Sequence, residues 1–538
     1  MATWRQEPHT GYRSPAADSR FVWLSLLAFV ALTTALAFNH VMWRDEVRAL
    51  SVAINSASWG DLVRNLHTEG HPIVWYAVLR AGYALTHSVL VMPVLSLAFS
   101  AGAAYLILRF APFPAWTRLV LVFGVFLGYE FSVVTRNYSI AILLMIVASI
   151  LFPKRAERPL ALGLTLAIMA NTSIHAAIGS LVIMFVWLMD VFNPLNRPAL
   201  LRLPAILALA IVVAGVVVAV LSARPSPDMA FAPDLSTLDL GALLRKILKD
   251  PGSSLAGPGY SDVAAAGTLP WTTLGIDPGT AHRVIVNIAL LSIGWSVRKN
   301  RACLLGMLFA VLGFAILFRV AYSPSPRHQG VLFFVLVSLC WIACLEPTEG
   351  ATPSHQRRIA LGMLPLLVPQ LLMLPVRVRR QIIYPESSSR LFAQLIQGTP
   401  RYRDAIIMSE PDYVAESMPY YLPNRVFMPR QREFHYRVYF DEVRRQKRLT
   451  LGGLVGIVDS VTCATGEIAL LAIAHLKVFT DSAGRVTLGY RGAEFIWDPA
   501  DKAKLLARGK QVAVFDKASE ENYRVFEIAP RVGSGCVE

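Results

Sequence analysis

The chain has 538 residues, of which 55% are hydrophobic and 16% are charged, and its formal net charge at pH 7 is +15. With a mean hydropathy of +0.49, it is too apolar for a soluble protein of this size and has the composition of a membrane protein with several spans. The Lys and Arg residues lie in short clusters between apolar runs, as membrane anchors do, and this pattern argues against nucleic acid as a partner.

The first apolar run, residues 21–38, is long enough to cross the hydrocarbon core, which takes about 20 residues. Arg5, Arg13 and Arg20 precede it, so the positive-inside rule places residues 1–20 in the cytoplasm. Ala35-Leu36-Ala37 also has the small-residue form of a signal-peptide cleavage site. Because the run is long for a signal sequence and further spans follow at once, we predict a retained first span and an external loop after it.

The second apolar run, residues 71–86, decides the orientation of the later segments. Arg80 lies in its middle, so it makes a poor span and a good helix at the membrane surface. If it does not cross, all later basic linkers share the cytoplasmic side with the N-terminus, and the positive-inside rule therefore favours the surface helix. These linkers are Arg109/Arg118, Lys154/Arg155/Arg158, Arg197/Arg202, Arg298/Lys299/Arg301 and Arg357/Arg358.

On that orientation we predict an α-helical polytopic membrane protein with a C-terminal external α/β domain. Residues 21–376 form the transmembrane domain, with an active external loop at 41–88, and residues 377–538 form the periplasmic domain. Strand-like runs at 404–408, 426–428 and 511–515 and a helical stretch at 435–448 indicate the α/β domain. About eleven spans are predicted, at residues 21–38, 89–108, 118–128, 139–152, 160–174, 176–189, 203–221, 284–297, 302–318, 330–345 and 359–376.

Four polar clusters lie at the ends of these spans. Counting the spans from the cytoplasmic N-terminus places all four clusters on the external face. Such co-location makes them the candidate site. The first cluster is the loop 41–88, which carries two adjacent carboxylates. The candidate residues, cluster by cluster, are Asp45, Glu46, His71, Trp75 and Tyr76; Arg136 and Tyr138; His175; and Arg327 and His328.

Each cluster also has a purely structural explanation. Asp45 and Glu46 suit a solvated turn, or a cap for a helix over residues 46–54. Long arginine side chains suit interfacial anchors that reach the lipid headgroups. His175 suits a helix-packing role, and the aromatic residues suit the interfacial belt of a membrane protein.

The motifs in these clusters resemble those of a known family. Asp45-Glu46 after the first span, with Glu69-Gly-His-Pro-Ile-Val-Trp-Tyr76, resembles the first external loop of the GT-C glycosyltransferases, in which an HPP stretch begins a juxtamembrane helix. This family includes protein O-mannosyltransferases and lipid A aminoarabinose transferases. Thr135-Arg-Asn-Tyr138 is similar to the Arg-x-Tyr or Arg-x-Asp motif of its second external loop. Ile174-His175 is similar to a short turn that often carries His, and Pro326-Arg-His328 to the Pro-Arg-Tyr entrance of a late span. The resemblance covers residues 21–376.

The resemblance implies an integral membrane glycosyltransferase of the bacterial inner membrane, with a polyprenyl-phosphate-linked sugar as donor. Asp45 is then the expected general base, with Glu46 second. Arg136 and Arg327 are expected to neutralise the lipid phosphate. Tyr138 stands where several family members carry an acidic residue, which removes a candidate metal ligand, so a metal-dependent mechanism is not expected. No cofactor is expected either. The other expected substrate-binding residues are His71, Trp75, Tyr76, Tyr138, His175 and His328.

Two other functions fit the same sequence. A transporter or flippase of lipid-linked sugars usually has charged residues within its spans and internal repeats, whereas these spans are almost free of charge and no repeat is visible. A non-catalytic relative that takes part in envelope assembly would have the same motifs as the enzyme. The acceptor could be a glycan, a lipid or a protein of the envelope. In the external domain, Cys463 and Cys536 are compatible with either a disulfide or two free thiols.

Overall fold

The computed structural model describes residues 18–67, 69–224, 239–255, 278–320, 324–345, 353–439, 447–488 and 493–531. These residues divide into two compact units. The first unit contains the described residues of Met1–Ala37, Pro93–Val220 and Asp234–Arg377, and the second contains those of Phe38–Met92, Leu221–Pro233 and Val378–Glu538. The loop after the first span and the C-terminal segment therefore belong to the same unit.

The described residues form 21 α-helices. In chain order they are α1 (Ser19–Asn39), α2 (Arg44–Asn55), α3 (Trp59–Leu66), α4 (Val74–Thr86), α5 (Val91–Phe110), α6 (Ala115–Phe123), α7 (Tyr138–Leu151), α8 (Pro159–Ala170), α9 (Ile174–Leu188), α10 (Arg197–Leu200), α11 (Leu203–Ala223), α12 (Leu240–Lys249), α13 (Pro251–Leu255), α14 (Pro278–Val297), α15 (Arg301–Val320), α16 (Pro326–Leu345), α17 (Pro353–Gly362), α18 (Leu364–Ile383), α19 (Ser389–Gln397), α20 (Leu451–Thr465) and α21 (Pro499–Arg508).

Within the described ranges, seven helices are long and apolar enough to cross a membrane, so the chain is a multi-pass membrane protein. Helices α17 and α18, bent by 57° relative to each other, make an eighth candidate. Three of the eleven predicted spans instead contain the shorter helices α6, α7 and α8, of 9, 14 and 12 residues. The predicted number of spans is not confirmed, because apolarity alone does not distinguish a short helix packed in a bundle from a full span.

Helix α16 lies in the core of the first unit, since every residue from Gly330 to Cys344 is buried. By contrast, α11 exposes most of its apolar surface, as expected of a lipid-facing helix. Helices α8 and α11 approach closely through small residues. A Cβ atom at Gly163 would lie 2.7 Å from the carbonyl oxygen of Ala208, and one at Gly215 would lie 2.7 Å from the Cβ of Ala167.

The second unit contains two β-sheets made of nine strands. The larger has the order β3-β2-β1-β5-β9-β8, with β1 parallel to both β2 and β5, and the smaller has the order β4-β7-β6. The predicted strand runs at 404–408, 426–428 and 511–515 correspond to β1, β2 and β8. The strands are β1 (Ile406–Glu410), β2 (Val426–Met428), β3 (Glu433–Phe434), β4 (Arg448–Thr450), β5 (Ala469–Ile473), β6 (Gly484–Thr487), β7 (Glu494–Trp497), β8 (Lys510–Phe515) and β9 (Tyr523–Ile528).

Both faces of the central strands β1 and β5 are buried, since alternate residues of a strand point to opposite sides. Ile406 and Met408 of β1 pack in one core with helix α20, whereas Ile407 packs in a second core with Phe392 of α19. The uninterrupted apolar run of β5 is typical of strands covered on both faces. The predicted external α/β domain therefore has a core of its own.

The helix predicted at 435–448 is not found in the described part of that range, and residues 440–446 lie outside the described residues. Residues 435–439 are irregular, Arg448 lies in strand β4, and the helix begins at Leu451, capped by the Thr450 hydroxyl, which accepts from the Gly453 N–H at 3.0 Å. The irregular segment makes tertiary contacts through Arg437 and Val438, and such contacts override helix propensity. Cys463, in α20, is disulfide-bonded, and Cys536 lies outside the described residues.

Helix α4 corresponds to the apolar run predicted to lie at the membrane surface. It has 13 residues and is therefore about 20 Å long, shorter than the roughly 30 Å hydrocarbon core. Arg80 donates to the carbonyl oxygens of Ala53 (2.9 Å) and Ser56 (2.7 Å) at the end of α2. A guanidinium at a helix C-terminus satisfies its last carbonyls and complements its dipole, so Arg80 fastens α4 to α2.

Candidate active site

The two predicted carboxylates lie in the first turn of α2, where the helix dipole stabilises negative charge. Trp43 precedes the helix with an extended backbone, and its N–H donates to the Glu46 carboxylate at 3.4 Å. This is one half of a capping box, in which the third helical residue reaches back to the cap. The helix thus begins at Arg44, and neither Asp45 nor Glu46 is its N-cap.

Glu46 is held inside the protein. Its carboxylate accepts from Nε2 of His40 at 2.8 Å, and both side chains are fully buried. The Gln381 amide lies 3.3 Å from the other His40 nitrogen, Nδ1. Donation from Gln381 to Nδ1 leaves the His40 proton on Nε2, where it points at Glu46. These contacts give Glu46 a structural role.

Arg48 forms the centre of a second buried group, which we call the ion cluster and which consists of Arg48, Glu69, Glu416 and Arg437. Arg48 binds Glu69 through two hydrogen bonds of 2.7 and 2.8 Å and also donates to Glu416. Arg437 donates to the same Glu69 carboxylate at 3.3 Å. The cluster joins the loop to the C-terminal segment with two positive and two negative side chains.

The two carboxyl groups of the ion cluster titrate in opposite directions. Burial raises the pKa of Glu69, but Arg48 and Arg437 outweigh burial and hold this pKa below its ordinary value. For Glu416, burial dominates and raises the pKa to about 7, although Arg48 and the Val438 backbone N–H act against it. A buried carboxyl group keeps its charge only where enough positive partners surround it.

Arg44 also points into its own unit. Its guanidinium donates to Glu521 at 2.8 Å and lies 4.6 Å from the ring centre of Tyr413. Of the four charged side chains in the first turns of α2, Asp45 is the most exposed, at 39%, compared with 25% for Arg44, 9% for Arg48 and 0% for Glu46. Asp45 is thus the carboxylate of this turn that a solute can reach.

The backbone just before α2 is fixed by hydroxyl groups of the C-terminal segment. The N–H of Met42 donates to the hydroxyl of Tyr421 at 2.7 Å, and the hydroxyl of Ser389 donates to the Met42 carbonyl at 2.7 Å. Sequence reasoning missed these residues, as it missed Glu416 and Arg437, because nothing near the loop in sequence signals them. The C-terminal segment therefore positions Asp45 indirectly.

The other candidate residues of the loop lie at the start of α4. His71 is half-buried and follows Gly70, whose φ of 67° is readily adopted by glycine. Trp75 and Tyr76 are buried, so their rings pack inside the unit, and contact with a sugar or lipid stays a prediction for them. Within the described residues, no three His, Cys, Asp or Glu side chains come together as a group that could hold a metal ion.

Three candidate residues from three separate clusters of the first unit come together. The rings of His175 and His328 are stacked, with 4.5 Å between their centres and 10° between their planes. Tyr138 meets both rings edge-on, at 6.2 Å and 5.9 Å. The backbone N–H of Ser325 donates to Nδ1 of His328 at 3.1 Å, which leaves the His328 proton on Nε2.

Short polar turns hold these rings in place. The Asn137 amide donates to the Thr172 carbonyl at 2.6 Å, which ties the turn before α7 to the turn before α9. Ser173 caps α9, because its hydroxyl accepts from the Ala176 N–H at 3.1 Å, and His175 follows in the first turn. The polar run of residues 171–175 thus caps helix α9 and links two turns, and it sets the direction of the His175 ring.

The two candidate arginines of the first unit are half-buried. Arg136 directly precedes Asn137, and Arg327 lies in the first turn of α16. The same unit contains a buried ion pair that the sequence did not predict, in which Arg377 donates to Glu130 at 2.8 Å. The ring of Tyr129 lies 5.3 Å from the Arg377 guanidinium. The partners are 247 residues apart in sequence, so no local pattern signals the pair.

No family model and no curated protein matches the chain. Among solved structures, the chain is similar to ArnT from Cupriavidus metallidurans bound to undecaprenyl phosphate, with a TM-score of 0.39 and 14% identity over 95% of this chain and 98% of that chain. It is also similar to the apo state of the same protein, with a TM-score of 0.30 and 13% identity over 94% of this chain and 97% of that chain. ArnT is a GT-C lipid A aminoarabinose transferase.

Proposed function

We propose that this protein is an integral membrane glycosyltransferase that takes a sugar from a polyprenyl-phosphate-linked donor, with Asp45 as its general base. The exposure of Asp45 carries the proposal. Its charged neighbours Arg44, Glu46 and Arg48 are committed to contacts inside their unit, whereas Asp45 keeps a more exposed carboxylate at a fixed helix N-terminus. A base for an acceptor hydroxyl needs this combination of access and rigid placement.

The proposed reaction is a direct displacement at the anomeric carbon of the donor sugar. The acceptor hydroxyl oxygen forms the new bond to that carbon while its proton passes to the Asp45 carboxylate. The bond between the anomeric carbon and the phosphate oxygen breaks, and the electron pair leaves with the polyprenyl phosphate. The configuration at the anomeric carbon is inverted.

The candidate residues of the first unit suit the phosphate and the sugar. Arginine is planar and always charged, and it binds phosphate oxygens through paired hydrogen bonds, so we assign phosphate binding to Arg136 and Arg327. The stacked His175 and His328 rings, with Tyr138 beside them, are assigned to orienting sugar or phosphate oxygens. His71 of the second unit is given the same role, and Glu46 is left as a positioning residue.

The basic linkers support one orientation of the chain. We place the N-terminus and the linkers in the cytoplasm and the C-terminal α/β domain in the periplasm, in a bacterial inner membrane. Asp45 then faces the side on which sugars are supplied by lipid carriers. The acceptor is a hydroxyl-bearing glycan, lipid or protein of the envelope.

The decisive experiment replaces Asp45 by Asn, which keeps the side-chain shape and removes the base. We expect sugar transfer by the purified Asp45→Asn protein to fall by about 10² to 10⁴-fold, the usual contribution of a general base. Melting temperature and monodispersity should stay unchanged. The measurement is transfer from a synthetic polyprenyl-phosphate sugar to envelope extract.

Asp61→Asn is the matched control, because Asp61 is an aspartate in the first turn of the next helix, α3, with a side chain that is 30% exposed. It should transfer sugar like the unaltered protein. Full activity in Asp45→Asn would refute the assignment of the base. A loss of equal size in both variants would mean that removing any charge from the loop is enough, and would equally count against Asp45.

A further inference from the structure

A cavity of about 420 Å³ lies in the first unit, and none of the residues that line it is assigned to sugar transfer. It is formed by the last turns of α14 and by helix α17. The residues that line it are serines, two arginines, a tryptophan, a leucine and a glycine, and no acidic side chain is among them: Ser292, Trp295, Ser296, Ser354, Arg357, Arg358, Leu361 and Gly362.

The two helices approach closely beside this cavity. A Cβ atom at Gly362 would lie 2.5 Å from the Cβ of Ser296 and 2.7 Å from its hydroxyl oxygen. No larger residue fits there without moving one helix. Because Gly362 and Ser296 also line the cavity, this contact fixes its shape.

One of the two arginines is held in position by a chain of hydrogen bonds. A terminal nitrogen of Arg358 donates to Nδ1 of His355 at 2.6 Å, and Nε2 of the same histidine bonds the Ala343 carbonyl oxygen at 3.1 Å. The Nε–H of Arg358 is buried and finds no hydrogen-bond partner within the described part of the chain. A guanidinium has five N–H donors, so Arg358 keeps donor capacity for a ligand at the cavity.

More positive charge lies next to the cavity. Arg298 stacks over the Trp295 ring at 4.0 Å, and Lys299 and Arg301 follow in the sequence. The Trp295 side chain is 68% exposed, although it lies in a candidate span. Exposed tryptophans of membrane proteins concentrate at the level of the lipid headgroups. The two basic linkers that meet here, Arg298/Lys299/Arg301 and Arg357/Arg358, are both among those assigned to the cytoplasmic side.

We propose that this cavity is a binding site for a phosphate group, carried either by the headgroup of an anionic phospholipid or by free phosphate. Paired arginine donors match phosphate oxygens in geometry and charge. Serine hydroxyls supply further donors, and the exposed tryptophan supplies an apolar surface for a lipid. Basic pockets between membrane helices on the cytoplasmic side are a recurring form of anionic-headgroup site. The proposal is independent of sugar transfer.

The test compares three ligands on the purified full-length protein in detergent: phosphatidylglycerol, phosphatidylcholine and inorganic phosphate. Binding is measured as the ligand-dependent rise in melting temperature and by native mass spectrometry. We expect the unaltered protein to bind phosphatidylglycerol or phosphate more tightly than phosphatidylcholine. The double variant Arg357→Gln/Arg358→Gln should weaken that binding by about tenfold or more, as expected for the loss of charge-assisted hydrogen bonds.

The matched control is Arg197→Gln/Arg202→Gln, which removes two exposed arginines from another basic linker and should leave binding unchanged. A selective loss with phosphatidylglycerol identifies a lipid headgroup, and a selective loss with inorganic phosphate identifies free phosphate. Unchanged binding in the cavity variant, or an equal loss in the control, overturns the proposal. If the cavity variant does not fold, equal affinity of the unaltered protein for phosphatidylglycerol and phosphatidylcholine, with no effect of phosphate, overturns it as well.

Discussion

The polar groups that surround the candidate residues differ between the two units. In the second unit, the ion cluster pairs two arginines with two glutamates from distant parts of the chain. In the first unit, His175, His328 and Tyr138 meet as stacked and edge-on rings. A charged side chain is costly inside a membrane bundle. Elsewhere, a buried charge is tolerated only when it is fully paired with an opposite charge. The charged side chains in the first turns of α2 are therefore mostly evidence of structure, and Asp45 is the most exposed of them.

The largest effect is expected from a substitution at Arg48, the centre of the ion cluster. Arg48→Gln removes the positive charge that Glu69 and Glu416 share, and an unpaired buried carboxylate usually costs about 3–5 kcal/mol. We expect a large loss of stability, measured as a lower melting temperature of the purified protein. Arg64→Gln is the control, because Arg64 lies in the same loop with a side chain that is 73% exposed, and it should change stability little. Equal stability of the two variants would contradict a structural role for the ion cluster.

In the first unit, replacing a candidate arginine should change activity rather than stability. Because Arg327 is assigned to the donor phosphate, Arg327→Ala should raise the KM for the lipid-linked donor by about tenfold or more, with a smaller effect on the acceptor. The melting temperature should change little. Arg319→Ala, which removes an exposed arginine from the neighbouring helix α15, should keep the KM of both substrates. Equal losses on donor and acceptor would count against the assignment.

The smallest expected effect concerns the pH dependence of stability in the ion cluster. Glu416 has a pKa of about 7 in the folded protein and an ordinary value of 4.5. Between these values the folded state holds a proton that the unfolded chain releases, so the stability from this group decreases as the pH rises through the window. The slope is at most about 1.4 kcal/mol per pH unit.

Glu416→Gln removes the titration. The melting temperature of this variant, relative to the unaltered protein, should rise from about pH 4.5 to about pH 7, the window set by the two pKa values. Glu433→Gln, on the exposed strand β3, should follow the unaltered protein. A constant difference between Glu416→Gln and the unaltered protein across this range would show that Glu416 does not titrate there.

Local sequence patterns predicted part of the fold correctly. The helix predicted at 71–86 is found as Val74–Thr86, and the strand runs are found as β1, β2 and β8. The described part of the range 435–448 is not helical as predicted, since Arg437 and Val438 make contacts with Asn65, Glu69 and Glu416 that no window of sequence contains. Three predicted spans became short helices for a similar reason, because hydropathy does not measure how a helix is packed.

The sequence by itself determined the membrane class, most of the apolar helices, the two-faced apolar strands and the identity of the candidate residues. The first three depend on composition or on a period of two to four residues, whereas the candidate residues depend on the polar clusters at the ends of the predicted spans and on the family resemblance. Only the tertiary structure decided which charged residues are buried. Arg48 and Glu416 are 368 residues apart, yet their contact commits Arg48 to the interior, as His40 commits Glu46. Burial and pairing depend on long-range packing, and they are what distinguish Asp45 from its neighbours.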